Sequence, residues 1–260
     1  MPNDSLRSTL PVTRVGSGPA LLLAHGAGGG VALNFSQLMD EMSGERTLIG
    51  VDYPGSGASP LAASPYSVDD LADALVEAGR ASGFDRFPIL GLSLGSAVAI
   101  AAALRHPEAV TALILTVGFA DADPQLRLVV DIWRYLAERD VDMLARFLVT
   151  VSSPSAFDEA GDCDEIVANV RASIPLGGAQ QAALAAGVDL RDRLGQIAIP
   201  TLVVAAGVDR IVQPSSTRAM AAGIAGSVLV EYPHAGHIFT ADEGCTWIAD
   251  IRKFLLAHKL

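Results

Sequence analysis

The chain has 260 residues, the length of one α/β domain with room for a small insertion rather than of two large domains. Eighteen Lys and Arg against 29 Asp and Glu leave a formal net charge of −11. That charge repels phosphate backbones and anionic headgroups, and so disfavours nucleic acid and membrane surfaces as partners. With 50% apolar and 18% charged residues, a disordered chain is excluded. Two cysteines, Cys163 and Cys245, are too few for a disulfide framework or a four-cysteine zinc site, and read as unpaired thiols in a reducing compartment. The start, Met1-Pro2-Asn3-Asp4-Ser5, lacks the basic and apolar stretches of a signal peptide. The longest apolar run, Ala97 to Leu104, is far below the roughly 20 residues that span a bilayer, so a cytoplasmic protein is expected.

Along the chain, short apolar runs alternate with helical patterns, which predicts a parallel sheet wound with helices. Leu21–Ala24 reads as a buried strand ending at His25 and a glycine cluster, and Thr47–Val51 as another ending at Asp52-Tyr53-Pro54-Gly55. Ser67-Val68-Asp69-Asp70 has the form of a capping box and predicts a helix to about Ala81, with Leu71, Leu75 and Ala78 on its apolar stripe. Phe87–Leu90 is a strand leading into Gly91-Leu92-Ser93, and Ala97–Leu104 is a buried helix stopped at His106-Pro107. Val110–Val117 is the next strand. From 121 to 194 no strand is expected. Helical patterns such as Leu126–Ala137 and Val141–Val149, interrupted at Pro154, Pro175 and Gly177-Gly178, predict a helical cap inserted into a core made of 1–120 and 195–260. Thr201–Ala205 and Val228–Tyr232 complete the strands, and Trp247–Leu256 is a C-terminal amphipathic helix.

Gly91-Leu92-Ser93-Leu94-Gly95 is a G-x-S-x-G pentapeptide between an apolar strand and a small-residue helix. That context places Ser93 on a sharp elbow at the positive end of a helix dipole. Serine is a weak nucleophile at its own pKa and needs a base, which in turn needs an orienting acid. His237, after the last strand, and Asp209, after the strand before it, supply both in the chain order Ser, Asp, His. An oxyanion hole requires two backbone N–H groups. Leu94 follows the nucleophile, and Ala27 lies in the turn His25-Gly26-Ala27-Gly28-Gly29-Gly30.

These segments, with Asp52-Tyr53-Pro54-Gly55-Ser56-Gly57 and Gly236-His237, resemble the serial landmarks of the α/β-hydrolase superfamily over nearly the whole chain. The nearest likeness is to its small esterase, enol-lactonase and cofactor-free haloperoxidase-like members. The resemblance implies a mostly parallel sheet flanked by helices, a helical cap between the sixth and seventh strands, and no cofactor. It further implies a serine hydrolase that cleaves a small ester, thioester or lactone through an acyl-serine intermediate. C–C bond hydrolysis or lyase and cyclase steps use the same triad, and a non-catalytic ligand-binding role would predict a damaged one. Ser96 stands where many members carry a second glycine.

Competing residues have plainer roles. His25 reads as a structural hydrogen-bonding residue, His234 as the rival to His237, His106 as a helix-end residue and His258 as part of the tail. Asp121, Asp123, Asp189 and Asp192 compete with Asp209, while Asp52 fits a turn. The glycine cluster fails as a nucleotide loop, because no Gly-Lys-Ser/Thr follows and its frames reach Val31 or Leu33. Five scattered histidines give no metal ligand set. Trp133, Tyr135, Phe147 and Phe157 could line a pocket or form cap core. Arg127, Arg134, Arg139 and Arg146 could be a solvated face, or could meet a substrate carboxylate or the arm of a carrier-protein or CoA thioester.

Overall fold

The computed structural model describes residues 10–152 and 162–260. Within them the chain runs β1 (Val12–Gly16), β2 (Ala20–Ala24), α1 (Val31–Met42), β3 (Thr47–Val51), α2 (Val68–Ala81), β4 (Phe87–Leu92), α3 (Leu94–Arg105) and β5 (Val110–Thr116). It continues through α4 (Pro124–Ala137), α5 (Val141–Ser152), α6 (Cys163–Ser173), α7 (Gly178–Ala186) and a short 3₁₀ helix at Arg191–Gln196. Last come β6 (Thr201–Ala206), α8 (Pro214–Gly223), β7 (Val228–Tyr232) and α9 (Ala241–Ala257).

The strands form a seven-stranded sheet of order β1-β3-β2-β4-β5-β6-β7, parallel except for the antiparallel β1–β3 pair. β2, β3 and β6 are buried at every position, which explains their continuous apolar sequence: helices cover both faces. Leu71 and Leu75 of α2, Ala97–Ala103 of α3 and Met220 of α8 pack one face. Phe35 and Leu38 of α1 with Trp247, Ile248 and Ile251 of α9 pack the other. The strand order reverses between β2 and β4, where one connection leads outward to β3 and the other to β5. Such a switch point opens a crevice at the strand C-termini.

β1, α1 and α8 lie outside the expected list. β1 is an edge strand of alternating half-exposed residues, without the apolar run that marks its neighbours. α1 carries Val31, Phe35, Leu38 and Met42 on its buried side, a helical spacing legible in the sequence. Among the described residues, the 121–194 stretch holds only helices apart from an isolated bridge between Asp121 and Asp189. It falls between the fifth and sixth of this chain's strands, not between the sixth and seventh. Pro154 and Phe157 lie outside the described residues.

Local signals set the helix ends. Ser67 accepts from the Asp70 N–H while the Asp70 carboxylate accepts from Ser67, the reciprocal capping box that the sequence predicts. Asp123 caps α4 by accepting from the Leu126 N–H at 2.8 Å. Both cysteines are free and exposed. Among the described residues, no helix is long and apolar enough to cross a membrane.

Candidate active site

β4 and α3 are joined by one residue, Ser93, with φ 54° and ψ −119°. This left-handed conformation is strained for a side chain and survives because its neighbours over-determine it. The Ser93 N–H donates to Thr116 O at 2.9 Å, and the Ser96 N–H to Ser93 O at 2.9 Å. A Cβ at Gly91 would lie 2.3 Å from Gly95 O, and one at Gly95 would lie 1.9 Å from Ala24 O. The two flanking glycines are therefore steric requirements of the elbow. Ser96 fills the family's glycine position productively: its hydroxyl donates to Gly91 O at 3.0 Å.

Asp209 and His237, 28 residues apart, meet beyond the ends of β6 and β7. His237 Nδ1 lies 2.7 Å from Asp209 Oδ2, with both side chains buried. Asp209 Oδ1 accepts from the N–H groups of Ile211 and Val212 at 2.8 and 3.0 Å. A carboxylate so held only accepts, so the proton between the two residues sits on His237 Nδ1, and Nε2 is left as the basic nitrogen. His237 and Ser93 line one cavity of about 490 Å³.

The turn after β2 lines the same cavity. A Cβ on Gly26 would lie 3.4 Å from the Ser93 Cβ, so this turn runs directly beside the elbow. Three of its amides are engaged. The Gly26 N–H donates to Asn34 Oδ1 at 2.9 Å, the Gly28 N–H to Gln181 Oε1 at 2.9 Å, and the Gly29 N–H to Gly26 O at 3.2 Å. Among the described residues, the Ala27 and Gly30 N–H groups have no such acceptor, and neither does the Leu94 N–H in the first turn of α3. The sequence names Ala27 and Leu94 but not the two amides' neighbours that hold the turn. Asn34 and Gln181 carry no motif; helical periodicity alone puts Gln181 on the buried side of α7 with Gly178, Ala182 and Ala185.

His25 takes a structural place. Its Nε2 accepts from the Tyr53 N–H at 2.9 Å, so Nδ1 carries the proton and donates to Gly26 O at 2.8 Å. The ring stacks on Tyr53 at 3.7 Å. Complete burial lowers its pKa from 6.5 to about 4, against smaller opposing effects of the Gly26 hydrogen bond and Asp52. His234 is exposed, and His106 caps α3 with Nε2 2.7 Å from Asp73 Oδ1. Asp121 faces Arg191 at 3.8 Å, Asp189 pairs with Arg191 at 2.7 Å, Asp192 lies in the first turn of the 3₁₀ helix, and Asp52 accepts from the Val31 N–H. Among these aspartates, only Asp209 is recorded in contact with His237.

The roof of the cavity comes from the helices between β5 and β6: Val129, Val130 and Trp133 of α4, Leu148 of α5, Val170 of α6 and Ala182 of α7. Among the described residues, no Asp, Glu, Lys or Arg lines it. Trp133 is thus a lining residue, whereas Tyr135 is exposed beneath Arg139, 4.1 Å from its ring, and Phe147 packs against the core. Arg127, Arg134, Arg139 and Arg146 are all exposed, Arg146 on Asp164 and Arg127 on Ala122 O. None reaches the cavity.

The chain is 32% identical over 248 residues to a pyrrolizixenacetamide deacetylase of Xenorhabdus hominickii, covering 94% of this chain and 93% of that one. It is 29% identical over 236 residues to a putative carbamate hydrolase RutD of Klebsiella pneumoniae (strain 342), covering 88% of each. The solved structure of a thermophilic esterase from Thermogutta terrifontis superposes with a TM-score of 0.82 at 25% identity, covering 96% of this chain and 93% of that one. A family model described as alpha/beta hydrolase fold matches residues 19–243. The chain therefore belongs to the alpha/beta hydrolase fold family, whose similar members include hydrolases.

Proposed function

We propose that the protein is a serine hydrolase that cleaves an uncharged small ester, thioester or lactone through an acyl-serine intermediate. The observation that carries this reading is the Asp209–His237 pair, buried and 2.7 Å apart, on the wall of the cavity that holds the strained Ser93 elbow. Ser93 Oγ attacks the carbonyl carbon as His237 Nε2 takes its proton, and Asp209 stabilises the imidazolium. The tetrahedral oxyanion is met by the Ala27 and Leu94 N–H groups, which have no acceptor to give up among the described residues. The imidazolium then protonates the departing alcohol or thiol, and water activated by His237 releases the acid. The described lining carries no Asp, Glu, Lys or Arg, which supports a neutral acyl group, since a buried carboxylate would find no cationic partner among those residues.

A Ser93→Ala variant tests the reading with p-nitrophenyl acetate. Its kcat/KM is expected to fall by roughly 10³-fold or more, with loss of labelling by a fluorophosphonate. Wild-type turnover in that variant would overturn it. The deacetylase and carbamate hydrolase relatives favour a second reading, in which the same acyl-enzyme forms with an amine as leaving group. Side-by-side rates on p-nitrophenyl acetate and p-nitroacetanilide distinguish the two.

A further inference from the structure

Gln181 of α7 is fully buried and joins three segments. Its Oε1 accepts from the Gly28 N–H at 2.9 Å, and its Nε2 donates to Pro54 O at 3.0 Å and to Ser56 Oγ at 2.8 Å. The network fixes the amide's orientation, because an N–H requires the oxygen and a carbonyl requires the nitrogen. Where α7 begins, the backbones touch: a Cβ at Gly177 would lie 2.0 Å from Pro54 O, and the Gly177 N–H donates to Gly55 O at 3.1 Å. α4 closes the other side of the turn, where a Cβ on Gly28 would lie 2.5 Å from the Trp133 indole.

We propose that Gln181 is a positioning residue of the oxyanion hole: by accepting from Gly28, it fixes the peptide that follows Ala27 and leaves the Ala27 N–H as the free donor beside Ser93. The inference rests on the acyl-serine reading. A turn containing Gly26, Gly28, Gly29 and Gly30 has little side-chain restraint of its own. Its conformation must be imposed from outside. Asn34 does so from α1 and Gln181 from the helical insertion. The helices above the cavity therefore carry part of the catalytic geometry as well as the roof. A donor misaimed by a fraction of an ångström loses much of its hold on an oxyanion while ground-state binding persists.

The experiment compares wild type, Gln181→Met, Ser56→Ala and Ser93→Ala, each well below its own Tm. The assays use p-nitrophenyl acetate and a short alkyl trifluoromethyl ketone. The ketone accepts Ser93 Oγ at its carbonyl carbon, passes the serine proton to His237, and leaves an alkoxide in the oxyanion hole. Q181M is expected to lower kcat roughly 10- to 100-fold with KM within about threefold, and to raise the ketone's Ki by a similar factor. S56A removes one bond of Gln181 but not that to Gly28, so kcat is expected to stay within about twofold while Tm falls. Wild-type kcat and Ki in Q181M, or S56A losing kcat to the same degree, would overturn the proposal.

Amide NMR on the wild-type protein decides the matter independently, including where Q181M does not fold. The Gly28 N–H should be protected from exchange, and the Ala27 N–H should shift downfield as the ketone binds. A rapidly exchanging Gly28, or a ketone shift at Gly28 in place of Ala27, counts against it. Should S93A itself hydrolyse normally, the acyl-serine reading fails. A dead S93A beside an unaffected Q181M removes this inference alone.

Discussion

The two sides of the cavity are built on different physical terms. On the sheet side, Ser93, Asp209 and His237 stand on turns at strand ends: Ser93 is fixed by glycines that admit no Cβ, Asp209 by backbone N–H groups, and His237 by its bond to Asp209. On the helical side, Val129, Val130, Trp133 and Ala182 offer apolar surface without charge. The first arrangement tolerates almost no substitution, because its geometry is made of close backbone approach. The second tolerates changes of volume, because packing and the hydrophobic effect are non-directional. On the proposed reading, chemistry and selectivity are separated in space, and Gln181 is a point at which they touch.

Substitutions should divide along that line. The largest effect is expected on the sheet side: Asp209→Asn would lower kcat by roughly 10³-fold or more, because the amide favours the wrong His237 tautomer. It would leave acyl-chain preference unchanged, as measured over a series of p-nitrophenyl esters. A variant with altered preference but near-normal kcat on acetate would break the separation.

His25 gives a pH test of the same wall. It remains neutral in the folded state down to about pH 4, whereas in the unfolded chain it takes up a proton near 6.5. Between those values the unfolded state binds more protons, so stability contributed by neutral His25 is complete above pH 6.5 and is lost as pH falls towards 4. The full loss is about 3 kcal/mol. Chemical denaturation of wild type against His25→Gln, at steps from pH 7 to 4, should show that slope only in wild type. Equal slopes would deny His25 this role.

A moderate effect is expected on the helical side. Ala182→Phe adds volume at a buried lining position and should lower kcat/KM for a butyrate or hexanoate ester about tenfold more than for acetate. Equal losses on all chain lengths would mean that α7 affects the chemistry alone. The smallest effect belongs to the surface arginines. Arg146→Ala removes an exposed pair with Asp164, and should change stability by less than about 1 kcal/mol and turnover of neutral esters not at all.

The legibility of this protein follows the same division. β2, β3, β4, β5, β6 and β7 are runs of apolar residues closed by turn-forming residues, and the elbow's glycines stand in the sequence because no other residue fits. The α2 capping box is equally local. β1 escapes because an edge strand on an exposed rim needs no continuous apolar run. α1 escapes although its spacing is readable, since the glycine cluster before it draws the eye to the turn. Trp133 and Tyr135 are two residues apart on one helix, yet one lines the cavity and the other is exposed. Helical phase separates their faces, but which face the cavity occupies depends on where α4 docks.

The sequence by itself determined six of the sheet's seven strands, the room for a small insertion in a 260-residue acidic chain, and the residue types of a candidate nucleophile, base and acid in order. These are local properties, set by hydrophobic run, turn chemistry and steric allowance within a few residues. Tertiary structure decided which of the competing aspartates meets His237, which amides of the glycine turn remain free, and that none of the insertion's arginines faces the cavity. Those facts join residues up to 153 positions apart, as Gly28 and Gln181 are, and depend on the packing of whole helices against the sheet. Short-range rules act along the chain, whereas hydrogen-bond satisfaction and exclusion of charge act through space.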